Sequence, residues 1–182
     1  MIVKEKYYEI VDEVLANDFK GKIAVDATLG KGNDTEKLLK AVGENGKVYA
    51  FDIQDEAIDF CQEKFKDVNN LEIFKTSHEY IDILESYDLV IYNLGYLPGS
   101  DKKIRTNAMS TVISLSKATK DINPCGILII VSYMGHEGSE EERTGVERFL
   151  KSLDQKLFKV EKREFFNEIN NPPIVYLVEK KL

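Results

Sequence analysis

The chain reads as an α/β protein with a doubly wound, mostly parallel sheet of seven strands and a C-terminal antiparallel hairpin. Three observations predict this. Short apolar runs alternate with segments of helical periodicity from residue 22 to residue 153, the order that builds a parallel sheet covered by helices. Two strand-like segments, 157–166 and 174–180, then flank Asn170-Asn171-Pro172-Pro173, whose residue types suit a turn. The polar motifs at Asp26–Asn33, Asp52, Ser77–His78, Asn93–Gly99 and Ser132–Gly138 all fall at strand ends, where doubly wound sheets bind ligands.

Each element follows from its pattern. Tyr7, Ile10, Val11, Val14 and Leu15 share one helical face, so an amphipathic helix opens the chain within residues 1–18. Strand one covers about 22–27. Asn33 is a suitable N-cap with Glu36 three residues on, as in a capping box, for a helix reaching Val42 before Gly43. Strand two is 47–52. Ala57, Ile58, Cys61 and Phe65 give a helix at about 55–66. Strand three is 71–75, a short helix covers 78–85, and Tyr87–Tyr92 is a buried strand ending at Asn93. A helix at 107–120 leads through the turn Asn123-Pro124-Cys125-Gly126 to the apolar strand Ile127–Val131, and a last helix spans 139–153.

Bulk properties narrow the class. At 182 residues and 43% hydrophobic, the chain is one domain, 1–182, with a substantial core. No apolar run approaches the roughly 20 residues of a membrane span, and Met1–Lys6 lacks a signal-peptide core. No membrane partner is expected, and the cytoplasm is the expected compartment. Two cysteines, Cys61 and Cys125, form no disulfide framework. His78 and His136 are too few for a metal site, so no metal is expected. A net charge of −7 argues against broad nucleic-acid binding but leaves room for a local patch at Lys102, Lys103 and Arg105.

Asp26-Ala27-Thr28-Leu29-Gly30-Lys31-Gly32-Asn33-Asp34 carries the strongest signal. A strand, a glycine turn, a helix and a second strand ending in Asp52 make a nucleoside site. The glycines let backbone approach a ligand, the helix N-terminus offers free N–H groups, and Asp52 can take both hydroxyls of a ribose. The third glycine of a dinucleotide fingerprint is missing, since Thr35 stands there. Read from Asp26, the segment resembles the first motif of class I S-adenosylmethionine (SAM) methyltransferases, with Thr28 where many of that class carry glycine. An acid at the end of strand one suits the ammonium of SAM and would repel a pyrophosphate.

Asn93-Leu94-Gly95-Tyr96-Leu97-Pro98-Gly99 resembles the (Asn/Asp)-Pro-Pro-(Tyr/Phe) loop of methyltransferases that modify amino groups, although Leu94-Gly95 replaces Pro-Pro. In such loops the Asn side chain accepts hydrogen bonds from the amine and the aromatic ring stacks on the substrate. Asp26, Asn93 and Tyr96 are the catalytic candidates, and the residues alone do not assign the proton acceptor. Carbon-5 pyrimidine methylation would want a cysteine nucleophile, and both cysteines read as packing residues.

Together with Tyr133-Met134-Gly135-His136-Glu137-Gly138 and Asn167–Pro173, these segments resemble a family of small bacterial methyltransferases labelled rRNA methylases and linked to tRNA wobble-uridine modification. The resemblance implies the Rossmann-like class I fold and conversion of 5-aminomethyl-2-thiouridine to 5-methylaminomethyl-2-thiouridine. It implies SAM contacts from Asp26, Thr28, Gly30, Gly32, Asn33, Asp52, Gln54, Ser77, His78 and Asn93, with S-adenosylhomocysteine (SAH) as product. It also implies an RNA face near Tyr96, Pro98, Lys102, Arg105, Tyr133 and His136. The implied partner is a tRNA anticodon loop, whose wobble base is unpaired and open to reading. A homodimer would pool two basic patches against the acidic net charge. An rRNA base amine or a small-molecule amine is the alternative acceptor, and a nucleoside-binding module without catalysis is the alternative class.

Overall fold

The computed structural model describes residues 4, 6–95, 106–135 and 138–182. Its elements are α1 (Tyr7–Asn17), β1 (Ile23–Asp26), α2 (Asn33–Val42), β2 (Lys47–Asp52), α3 (Asp55–Lys64), β3 (Leu71–Lys75) and a 3-10 helix (His78–Ile83). There follow β4 (Tyr87–Leu94), α4 (Ala108–Asp121), β5 (Ile122–Ser132), α5 (Ser139–Ser152), β6 (Phe158–Arg163) and β7 (Ile174–Lys180). The seven strands lie in the order β3-β2-β1-β4-β5-β7-β6. β7 runs antiparallel to both β5 and β6, and the other neighbours are parallel. The expected doubly wound sheet with its antiparallel hairpin is the observed one.

Alternating side chains send each strand to two cores. Ala24, Val48, Leu89, Ile91 and Ile129 pack beneath Ile10, Val11 and Val14 of α1 and Leu38 and Val42 of α2. Val25, Phe51, Val90, Tyr92, Leu128 and Ile130 meet Leu115 and Ala118 of α4 and Val146 and Leu150 of α5. Each buried Val, Leu, Ile or Phe among them contributes about 1.5–3 kcal/mol relative to exposure. Strand order reverses beside β1, which has β2 on one side and β4 on the other. Parallel register brings Asp26 level with Ala50 and Ile91, and Asn93 level with Val131, so the polar strand ends share one edge.

Two local expectations change. Helix α2 has Gly32 as its N-cap, with φ of 69° and no side-chain cap, so Asn33 is its first helical residue and the capping box does not form. The backbone N–H of Glu36 instead donates to the Gly32 carbonyl. The segment Asn123–Gly126 is absorbed into β5, where Cys125 takes a φ of 62° and the β4–β5 register shifts between Tyr87 and Leu89. None of these four residues has a partner on β4, whose pairing jumps from Ile122 to Ile127, so the expected turn persists as an excursion inside the strand rather than before it.

Candidate active site

A cavity of about 610 Å³ opens over the C-terminal ends of the parallel strands. Its size is that of a small-molecule site. Thr28, Gly30, Asn33, Asp52, Gln54, Ser77, His78, Asn93 and Tyr133 all line it. Of the predicted site residues, Tyr96, Pro98, Lys102, Arg105 and His136 lie outside the described residues.

The turn after β1 is held by its neighbours on both sides. Ala27 N–H donates to the Ile91 carbonyl on β4, and Leu29 N–H to the Phe51 carbonyl on β2. The Asp52 carboxylate accepts the Gly30 N–H at 2.9 Å through Oδ2 and the Gln54 N–H at 2.9 Å through Oδ1. Each oxygen keeps a lone pair for a ligand hydroxyl. Gly30, at φ 50°, reaches this contact from a conformation that favours glycine.

Two residues expected at the ligand lie behind the cavity wall. Asp26 does not line the cavity. It is 1% exposed, its Oδ1 accepts the Thr28 N–H at 3.1 Å, and its Oδ2 accepts the Thr35 hydroxyl at 2.6 Å. Both oxygens face inward, so Asp26 ties the turn to α2 and is a positioning residue. Burial, then the nearby Asp34 charge, pushes its carboxyl up to about 7. Gly32 is also absent from the wall. A Cβ there would meet the Phe65 ring at 2.6 Å and Cys61 Sγ at 3.0 Å, so this glycine permits close packing of α3.

Asn93 is the penultimate residue of β4 and is held on two sides. Its backbone N–H donates to Thr28 Oγ1 at 2.8 Å, which gives Thr28 a use that glycine could not fill. Its Nδ2 donates to Asp34 Oδ2 at 2.9 Å. A carboxylate accepts only from the amide nitrogen, so the flip of Asn93 is fixed. Asn93 Oδ1 is buried without a partner among the described residues. A side chain that lines the cavity thus keeps one buried acceptor without a donor among the described residues.

Asp34 is the site residue the sequence reading missed. It lines the cavity, and burial raises its carboxyl above the ordinary value of 3.8 despite the Asn93 hydrogen bond. Its signal was its place directly after Asn33, on the first turn of the helix that follows the glycines. Tyr7, Tyr8 and Lys37 also line the cavity without having been predicted to.

His78 is 7% exposed, and burial holds its imidazole down at about 4, so the ring is neutral near pH 7. Nδ1 has no partner among the described residues, and the ring stands edge-on to Tyr92 at 5.8 Å. Ser77 accepts the Glu79 N–H and caps the 3-10 helix while also lining the cavity. Cys61 is buried, its Sγ donates to the Gly30 carbonyl at 3.4 Å, and its thiol is pushed up to about 11. A thiol so placed is packing, not a nucleophile. Among the described residues, no three His, Cys, Asp or Glu side chains gather as a metal site, and no helix is long and apolar enough to cross a membrane.

The residues fit S-adenosylmethionine. Asp52 keeps free lone pairs for the ribose hydroxyls, and the orphaned, neutral His78 nitrogen can meet the edge of an adenine.

Comparison with known proteins agrees. The family described as "Putative rRNA methylase" matches residues 48–179. The chain is 33% identical to the chloroplastic tRNA (mnm(5)s(2)U34)-methyltransferase of Arabidopsis thaliana over 177 residues, which is 89% of this chain and 65% of the plant protein's length. A putative rRNA-methylase from Clostridium thermocellum superposes with a TM-score of 0.92 at 38% identity, covering 99% of this chain and 100% of that one. A putative methyltransferase from Streptococcus mutans, solved in complex with SAH, gives 0.85 at 32% identity, covering 98% of this chain and 99% of that one. The chain belongs to the family described as putative rRNA methylases.

Proposed function

We propose, with membership of that family as the premise, that this chain methylates the amine of 5-aminomethyl-2-thiouridine at the tRNA wobble position to give 5-methylaminomethyl-2-thiouridine. The observation that carries the reading is the unpartnered Oδ1 of Asn93, fixed in orientation by Asp34. An acceptor at the wall suits a substrate that presents N–H groups. A primary amine has them; a carbon acceptor would leave the oxygen unpaired, and between an amine and a hydroxyl, which can also donate to it, the wobble-uridine name of the Arabidopsis relative favours the amine.

SAM, when bound, supplies an electrophilic methyl group. The chain supplies position and proton handling. Asp52, the Gly30 turn and His78 hold the nucleoside part. Asn93 Oδ1 accepts an amine N–H and so aims the nitrogen lone pair along the line of transfer. A free alkylammonium has a pKa of about 10 and cannot attack. Burial disfavours its charged form and raises the Asp34 carboxyl at the same time, so the two groups converge and Asp34 takes the proton. Asp26 keeps the turn under Thr28 in place, and Thr28 keeps the backbone of Asn93 in place.

The family's description favours a second acceptor, an amine on an rRNA base. Nucleoside mass spectrometry of tRNA and rRNA from cells lacking the gene separates the two. Accumulation of aminomethyl-2-thiouridine, cured by the intact gene and not by Asn93→Ala, supports the wobble reading. Unchanged tRNA beside a missing rRNA methyl moves the assignment to the second acceptor. A homodimer in the cytoplasm belongs to the same reading, and sedimentation showing only monomer at working concentrations would remove the dimer.

A further inference from the structure

Helix α1 does more than cover the sheet. Ile10, Val11 and Val14 are its buried anchors. Its first two residues, Tyr7 and Tyr8, instead line the cavity. The Tyr7 ring stands edge-on to Tyr133 at 5.5 Å and to Tyr8 at 5.8 Å. Tyr133 follows β5, donates its N–H to the Leu94 carbonyl, and lies beside Gly95, two residues past Asn93. Lys37, one helical turn beyond Asp34 on α2, pairs with Asp12 at 2.7 Å and sits 5.4 Å from the centre of the Tyr8 ring. Three aromatic rings thus run from the Asn93–Asp34 pair outwards. The outermost, Tyr8, is 44% exposed while still facing the cavity.

The Tyr8 ring meets the Tyr7 ring and carries the Lys37 ammonium over it, and the rest of its exposed surface lies at the edge of the cavity. Single-stranded RNA is held by stacking unpaired bases on such rings. We propose that Tyr8, backed by the Tyr7–Tyr133 pair, is the stacking platform for the unpaired base of the RNA acceptor and sets which acceptors are accepted. The proposal rests on the methyl-transfer reading above. It draws on α1, which lies before the residues matched by the family, 48–179.

The test uses an anticodon stem-loop RNA carrying 5-aminomethyl-2-thiouridine. Tyr8→Ala raises KM for this RNA on the order of tenfold, more than it lowers kcat, and leaves SAM affinity within about twofold. Tyr8→Phe recovers most of the loss, because the ring and not the hydroxyl does the stacking. An unchanged KM in Tyr8→Ala, or an equal loss of SAM affinity, overturns the platform and leaves Tyr8 as packing for α1. The chain contains no tryptophan, so Tyr8→Trp introduces a single fluorophore. Its emission should be quenched by the stem-loop and not by SAM alone. This second readout needs no turnover. If the wild-type protein binds the stem-loop without methylating it, the methyl-transfer reading falls. Quenching still supports the platform in that case, and its absence overturns it.

Discussion

The two halves of the cavity are built by different means. The half over β2 and β3 is made by short-range backbone contacts. Asp52 gathers the N–H groups of Gly30 and Gln54, and Ser77 caps the 3-10 helix on which His78 sits. The half over β4 and β5 is made by side chains from far apart in the chain. Asn93 meets Asp34 across 59 residues, and Tyr133 meets Tyr7 of the first helix. The first half holds a ligand whose shape is constant. The second half presents an unpartnered acceptor, a carboxyl raised by burial and a row of rings, which in the proposed reaction act on a variable acceptor. Binding and chemistry are therefore separable by mutation.

The largest effect should come from Asn93→Ala. The rate of methyl transfer should fall on the order of 100-fold, the scale for removing a hydrogen-bonding group that acts at the reacting centre. SAM affinity, measured by calorimetry, should change little. Equal losses in both would merge the two halves and break the comparison.

Asp34→Asn keeps a hydrogen bond to Asn93 Nδ2 but removes the charge. The rate should fall about a hundredfold, as for a lost general base. The pH profile sharpens the point. Asp34 accepts a proton only when ionised, so wild-type kcat/KM should rise with pH, with its acid limb above the ordinary carboxylate range because burial raises this group. The variant should lose that limb. A limb that persists unchanged would assign the proton to another group.

Asp52→Asn acts on the other half. It weakens the ribose contacts and should raise the Kd for SAM about tenfold, with kcat at saturating SAM reduced far less. A smaller effect comes from Asp26. Its folded carboxyl titrates at about 7, above the unfolded value of 3.8. The folded state therefore binds a proton more tightly than the unfolded state. The stability this contributes is present below about pH 4 and is lost as pH rises through 7. Wild-type Tm should fall between pH 5 and pH 8 by more than that of Asp26→Asn, in which the position cannot ionise. Parallel curves would show that Asp26 is not the group responsible.

The same contrast explains what could be read from the sequence. The sheet, the β1 turn and Asp52 are local patterns, in which a strand, two glycines and a second strand ending in an acid follow one another between Ile23 and Asp52. Asn93 was legible because it ends an apolar run. The inward turn of Asp26 was not legible, because an acid at a strand end looks the same whether it faces a ligand or a threonine nine residues on, in the first turn of the next helix. Only the helix geometry turns it towards Thr35. The packing of Gly32 was hidden for a similar reason, since a glycine needed for ligand approach and one needed for the Phe65 contact leave the same letter. Asp34 and Tyr7 take their meaning from partners more than 50 residues away, Tyr8 takes its own from Tyr7 and from Lys37 on the next helix, and no spacing rule joins them.

The most direct measurement is methyl transfer by the purified protein. Unmodified wild type and Asn93→Ala would each be incubated with SAM and tRNA bearing 5-aminomethyl-2-thiouridine, and the digested nucleosides weighed by mass spectrometry. The account predicts the gain of one methyl on the amine with wild type, and almost none with Asn93→Ala although it still binds SAM. No gain with wild type, or an undiminished gain with Asn93→Ala, would contradict it.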